Sequence, residues 1–191
     1  MGQNDAFITF YTLLLGLGIA TLLTRFADVL RRARLRDVGL VGLLLAILIV
    51  FEFLSGWAGA YRTFESVRVD IAALALPFAT GACYFMASVL LLPEAGEVEP
   101  SDIDAYVSAQ VPRIAFFLFM ANVLLVGAEV PFVVARTSAE PRYLWSFYLP
   151  YNTSILLAYA AMMATRRRGL RIAAMLALIL VYAWVTVTRA I

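Results

Sequence analysis

The sequence predicts an all-α integral membrane protein, built as a bundle of six transmembrane helices. Apolar residues make up 63% of the 191 residues, well above the roughly 45–50% that is usual in soluble domains. The mean hydropathy is +0.88. The apolar residues fall into six runs of roughly 20, the length that an α-helix needs to cross a bilayer. We therefore expect a single transmembrane domain over residues 1–191, with short loops and one longer, acidic cytoplasmic loop.

Charged or turn-forming segments separate six predicted spans, which cover residues 6–24, 38–59, 71–92, 114–135, 144–164 and 170–188. No basic residue precedes the first span, and its apolar run is longer than a signal-peptide core, so we expect it to remain uncleaved. In the first span Gly16 with Ala20 fits the spacing of close helix contacts. In the loop 93–113, Ser101 to Asp104 resembles a capping box that opens a short surface helix.

Arginine supplies all 15 basic residues, and its distribution predicts the orientation of the bundle. Ten of the 15 fall in the segments 25–36, 93–113 and 165–171, which lie on one side if the spans alternate in direction. Because cytoplasmic loops carry the excess of basic residues, we expect a multi-pass protein of the bacterial inner membrane with both termini outside. The arginines after the first span are expected to contact anionic membrane lipids; they are Arg31, Arg32, Arg34 and Arg36.

The composition excludes several kinds of chemistry. Without any His or Lys the chain cannot form a histidine-ligated haem, an imidazole zinc site, a Ser-His triad or a lysine Schiff base. A single cysteine, Cys83, gives no internal disulfide. The net charge of +2 provides no basic face for nucleic acid. We expect no cofactor, no metal and no catalytic residues, and enzymatic polyprenyl-phosphate chemistry is supported only by paired acids with arginine nearby.

Two acidic residues lie inside predicted spans, Glu52 in the second and Glu129 in the fourth. An ionisable group costs roughly 2.5–3.5 kcal/mol in the hydrocarbon on insertion scales and usually faces the bundle interior. Other polar residues occur at a similar depth in neighbouring spans, and the cheapest arrangement turns all of them toward each other. We predict a polar pocket in the outer half of the membrane, formed by Glu52, Glu129, Asn122, Asn152, Tyr148, Tyr151, Thr80 and Arg136.

Two functions are compatible with this pattern. In the first, the bundle binds or translocates a small solute, a cation or a proton through the two glutamates. In the second, the chain is a non-catalytic subunit or scaffold that packs against partner proteins or against itself as a homo-oligomer. The polar residues would then only join helices, through hydrogen bonds of about 0.6 kcal/mol each.

Cysteine labelling tests the predicted orientation. In a Cys83→Ala background, Gln3→Cys is expected to react with a membrane-impermeant maleimide in intact cells, because the N-terminus lies outside. Gly169→Cys, in the arginine-rich segment, is expected to react only after the cells are lysed. Labelling of Gly169→Cys but not Gln3→Cys in intact cells would reverse the orientation.

Overall fold

The computed structural model describes residues 3–64, 71–137 and 141–190, and within these ranges the chain is helical with no β-strand. The helices are α1 (Gln3–Arg32), α2 (Leu35–Phe64), α3 (Ile71–Leu91), α4 (Ile103–Thr137), α5 (Pro141–Tyr143), α6 (Leu149–Ala164) and α7 (Arg168–Ala190). A π-helical turn, Leu144–Tyr148, joins α5 to α6, so residues 141–164 form one uninterrupted helical stretch. The described residues thus form six long helical stretches, as predicted.

Four of the helices have the length and apolar composition of membrane spans. Four segments of the described residues are long and apolar enough to cross a bilayer, namely Ile8–Arg32, Leu35–Gly59, Pro100–Val130 and Arg168–Thr186. Ala75–Leu91 is a shorter apolar helix. Large apolar side chains also cover the outside of the bundle, among them Leu13 at 67% and Trp184 at 68% exposure. These features are those of an all-α membrane protein.

Two helices extend beyond the predicted spans by two turns or more at one end. α1 continues to Arg32 instead of stopping near residue 24, and α4 begins at Ile103 instead of residue 114. The short helix predicted in the loop 93–113 is therefore wrong as a separate element, because its residues form the first turns of α4. Ile103 and Val107 of these turns are buried. The predicted capping residue Asp104 binds Arg168 instead.

α2 and α4 occupy the centre of the bundle. α2 packs against α1, α3, α4 and α7, while α4 packs against α2, α3 and α6. Apolar residues recur every three or four positions along the contact faces of both helices, the spacing that keeps one helical face in the core. The buried residues, each at most 1% exposed, are Val38, Val41, Leu45, Leu48 and Ile49 in α2, and Val107, Val111, Ile114 and Leu118 in α4.

Contacts between helix ends define the direction of each helix. Arg25 donates hydrogen bonds to the Leu92 carbonyl and to Glu94, both at 2.9 Å, and Arg168 donates two to Asp104 at 2.8 and 3.0 Å. Segments 25–36, 93–113 and 165–171 therefore lie together at what we call the arginine-rich end. Consecutive long helices alternate in direction, and both ends of the described chain lie at the opposite, distal end.

Gly39 breaks α2 near its start, where the backbone adopts φ 72° and ψ 166°. A Cβ atom at this position would lie 1.9 Å from Oδ1 of Asp104. The positive φ and this close approach both require glycine. Farther along the bundle, Gly18 rather than Gly16 makes the close contact of α1, since a Cβ there would lie 2.4 Å from the Phe53 ring and Gly16 has no neighbour within 4 Å.

Gly39→Ala is expected to lower the thermal unfolding midpoint of the detergent-purified protein. A non-glycine residue at positive φ costs about 1–3 kcal/mol, and the methyl group would also displace the carboxylate of Asp104. The matched control is Gly16→Ala, which meets no neighbour and should be neutral or gain up to about 1 kcal/mol from helix propensity. Equal midpoints for the two variants would contradict the conformation described for Gly39.

Candidate functional site

Glu52 lies at the centre of the bundle with 1% of its surface exposed. Its carboxylate accepts hydrogen bonds from side chains of four other helices. The donors are the hydroxyl of Tyr84 at 3.1 Å, the amide of Asn122 at 3.0 and 3.1 Å, the hydroxyl of Tyr182 at 2.5 Å and the hydroxyl of Tyr159. These five residues, which we call the Glu52 cluster, join α2, α3, α4, α6 and α7 at one point.

Helix direction explains why these side chains converge. Side chains on an α-helix lean toward its N-terminus. Glu52 on α2 therefore leans toward the arginine-rich end, whereas Tyr84 on α3 and Tyr159 on α6 lean toward the distal end and meet it. The amide of Asn122 also donates to the Leu118 carbonyl at 2.9 Å, one turn back on α4. This second bond fixes the orientation in which Asn122 presents its amide to Glu52.

The partners of Glu52 are all neutral donors. Three hydroxyl groups and one amide occupy the two oxygens of the carboxyl group, which can accept about four hydrogen bonds when ionised. Buried charges in proteins are usually paired with an opposite charge. The four ion pairs found among the described residues lie instead at the arginine-rich end, where at least one partner of each pair is exposed; they include Arg25 with Glu94 and Arg168 with Asp104. Glu52 is held by hydrogen bonds from neutral groups, and no ion pair is among its described interactions.

The second acid of the bundle, Glu129, lies seven residues after Asn122 on α4, about 10 Å closer to the distal end. It is half-buried. The hydroxyl of Tyr148 donates to its Oε2 at 3.3 Å, and its Oε1 lies beside Gly59 of α2, where a Cβ would approach to 2.7 Å. Tyr148 belongs to the π-helical turn, a feature that redirects side chains and is frequent at functional sites. We call Glu129 and Tyr148 the Glu129 pair.

Tyr11 of α1 lies between the Glu52 cluster and the Glu129 pair. Its side chain is buried, with 2% of its surface exposed. The Tyr11 hydroxyl approaches α2 at Gly56, one turn beyond Glu52, where a Cβ would lie 3.3 Å from this hydroxyl and 3.2 Å from that of Tyr84. Tyr11 and Tyr84 therefore bring their hydroxyl groups to the same point on α2.

The structure brings the predicted residues together only in part. Glu52 contacts Asn122, and Glu129 contacts Tyr148. The single polar pocket that the sequence predicts is therefore divided into two groups of residues. The members of the Glu52 cluster are joined by direct hydrogen bonds to its carboxylate.

For three of the remaining predicted residues, the described hydrogen bonds and ring contacts are made with partners other than the two carboxyl groups. The hydroxyl of Thr80 is buried and donates to the Leu76 carbonyl at 2.9 Å, and the amide of Asn152 donates to the Tyr148 carbonyl at 2.8 Å. The ring of half-buried Tyr151 stacks on Phe147 with centroids 5.7 Å apart. Arg136 belongs to α4, but its side chain lies outside the described part of the structure.

Sequence reasoning missed three members of the Glu52 cluster, Tyr84, Tyr159 and Tyr182. Each lies inside a predicted span at least five residues from its end, away from the interface where tyrosine usually anchors a helix. A tyrosine hydroxyl within the hydrocarbon needs a hydrogen-bond partner. Tyrosines in the middle of three spans, combined with one acid in a fourth, were the signal that could have identified the cluster.

The fold and the site define the class as a protein that is all-helical over its described residues, with four helices long and apolar enough to cross a membrane and a core organised around one carboxyl group and three tyrosines. The chain matches no protein-family model, no curated protein and no solved structure. Its function is therefore argued from the geometry of the two acids.

Truncating Glu52 should be far more harmful than neutralising it. Glu52→Ala removes the shared acceptor of three buried hydroxyl groups and one amide N–H, at about 1–3 kcal/mol for each group left unsatisfied. Glu52→Gln keeps one carbonyl oxygen, and the tyrosine hydroxyls can rotate to accept from its amide, so its cost should be near 0.6 kcal/mol for each altered bond, on the order of a membrane hydrogen bond. The thermal unfolding midpoints of the two variants in mild detergent measure these two costs.

The control for this comparison is Glu99→Ala, which truncates an exposed acid at the arginine-rich end and should leave the unfolding midpoint unchanged. If Glu52→Ala unfolds at the same temperature as Glu99→Ala, the Glu52 cluster does not stabilise the bundle.

Proposed function

We propose that this protein binds and translocates a small cation across the membrane, with Glu52 as the binding group. The observation that carries the proposal is a carboxyl group buried where five helices meet, with neutral donors as its partners. Acids within membrane spans are costly, and those that are retained commonly mark ion pathways or proton relays. Burial of such a carboxyl group costs free energy. Because its partners are neutral, no ion pair holds it in the ionised form.

The geometry favours the proton over a larger cation. The donors around Glu52 present hydrogen atoms to it, so a metal ion or an amine would have to displace them before it could reach the carboxylate. A proton adds to one oxygen without needing extra volume. Tyr159 or Tyr182 can then rotate its hydroxyl and accept from the protonated carboxyl, because a tyrosine hydroxyl is both donor and acceptor.

We further propose that the arginine-rich end faces the cytoplasm of a bacterial cell and that the distal end, with both termini, faces outside. The side chains of Arg31 and Arg36 are 78% and 75% exposed, which suits contact with the anionic lipids of the cytoplasmic leaflet together with Arg32 and Arg34. In this orientation Glu129 lies on the outer side of Glu52.

A second candidate function is that of a non-catalytic subunit or scaffold. It is favoured by the outer faces of α1 and α7, where Leu13 and Leu180 are each 67% exposed and Trp184 is 68% exposed. Lipid covers such faces in a monomer, and a partner helix or a second copy of the chain covers them in a complex. Under this function the Glu52 cluster serves only to join the helices.

Proton flux in proteoliposomes discriminates the two functions. With a pH-sensitive dye inside the vesicles and an imposed pH gradient, the wild-type protein should acidify the lumen faster than protein-free vesicles. Glu52→Gln is expected to reduce the rate to that of protein-free vesicles, because the amide cannot carry the proton. Glu129→Gln should slow it by an intermediate factor.

The matched control is Glu99→Gln, the same chemical change at an exposed position, which should retain the wild-type rate. A Glu52→Gln variant with wild-type flux would refute the transport proposal. Wild-type vesicles without flux, together with a stable homo-oligomer or a stoichiometric partner protein in mild detergent, would favour the scaffold.

A further inference from the structure

We infer that, in the conformation described here, protons reach Glu52 from the distal end only, through the Glu129 pair and Tyr11. This inference rests on the proposed function, since it specifies the side from which the binding group is loaded. It is carried by the unequal distribution of polar groups on the two sides of Glu52 and by two glycines of α2.

On the distal side, polar groups follow one another along the face of α2. Oε1 of Glu129 approaches Gly59, and the hydroxyl groups of Tyr11 and Tyr84 both approach Gly56. Tyr84 in turn donates to Glu52 at 3.1 Å. The absence of side chains at the two glycines allows these oxygens to lie against the α2 backbone, where any Cβ would come within 3.3 Å of them.

On the other side, the core between Glu52 and the arginine-rich end is apolar. Between the Glu52 carboxyl group and the arginine-rich end, the core consists of buried aliphatic residues and methionines of α2, α4, α6 and α7. Ser88 lies in this region, but its hydroxyl donates to the Tyr84 carbonyl of its own helix at 3.1 Å. The aliphatic residues and methionines of this region, all at most 2% exposed, are Leu45, Leu48, Ile49, Ile114, Leu118, Met162, Met175 and Leu178.

A proton moves along the distal groups without a net change in any tyrosine. Glu129 takes a proton from the distal side and passes it to the hydroxyl oxygen of Tyr11, which releases its own proton toward Tyr84. Tyr84 accepts that proton on its oxygen and releases its hydroxyl proton to the carboxylate of Glu52. Water can bridge positions along this route that are not in direct contact. At the end Glu129 is ionised again, Glu52 is protonated and both tyrosines are neutral.

The experiment measures protonation of Glu52 from each side separately. Proteoliposomes carrying Gln3→Cys or Gly169→Cys in the Cys83→Ala background are captured on a thiol-reactive resin, which selects vesicles with the distal or the arginine-rich end outward. After a jump in external pH, infrared spectroscopy follows the carboxyl band that Glu52→Gln lacks. The band should grow quickly in distal-out vesicles and about 100-fold more slowly in the other set, within the range expected for loss of a positioned proton-transfer group.

In distal-out vesicles, variants along the distal route should slow the growth of the Glu52 carboxyl band, while its final amplitude stays at the wild-type value. Tyr11→Phe removes the relay hydroxyl, Glu129→Gln removes the first acceptor, and Gly59→Ala displaces the Glu129 carboxylate. The matched control is Gly127→Ala on α4, two residues from Glu129, where a Cβ meets nothing within 4 Å. It should retain the wild-type rate. An unchanged final amplitude shows that the Glu52 cluster is intact, so a slower rate reports on access and not on misfolding.

Equal rates from the two sides would overturn the inference, as would wild-type rates in both Tyr11→Phe and Glu129→Gln. Either result would leave the proposed function standing, because Glu52 would still exchange its proton. Absence of any Glu52-dependent band in the wild-type protein, over the pH range in which it remains folded, would instead remove the proposed function together with the route.

Discussion

The bundle depends on one constraint, which is that a carboxyl group in the centre of an apolar protein must have its oxygens satisfied by protein donors. Neither lipid nor bulk water can supply them at that depth. Four helices each contribute one side chain that donates to Glu52. The length and rotation of each of these helices must therefore bring its side chain to the same point. Hydrogen bonds depend on distance and angle, so the cluster constrains how α2 and these four helices are placed and rotated against one another.

Two kinds of electrostatic interaction divide the molecule along its length. At the arginine-rich end, charged partners such as Arg168 and Asp104 meet near the surface, where water screens them and each pair contributes modestly. Around Glu52, hydrogen bonds from neutral groups act in a medium of low dielectric constant, where each is electrostatically stronger. The first kind holds helix ends in place, and the second holds one buried acid where five helices meet.

The fold could be predicted from composition because runs of about 20 apolar residues allow few alternatives. The helix ends could not, since hydropathy falls where Arg25 and Asp104 appear although backbone hydrogen bonding continues. In the site, the depth of the polar residues indicated Glu52, Asn122, Glu129 and Tyr148 but not their division into two pairs. Tyr159 and Tyr182 could not be predicted, because a tyrosine has both an apolar ring and a polar hydroxyl. Only the three-dimensional arrangement shows whether the ring or the hydroxyl determines where the side chain lies.

The order of the Glu52 partners along the chain has a consequence for biosynthesis. All four follow Glu52, at separations of 32, 70, 107 and 130 residues. When α2 first enters the bilayer, its acid therefore has none of these donors, and each later helix brings one more. The contact with Tyr182 forms only after α7 has been synthesised. The centre of the bundle is thus completed by the helix that is made last among those described, and a chain that ended before α7 would leave Glu52 without the hydroxyl of Tyr182.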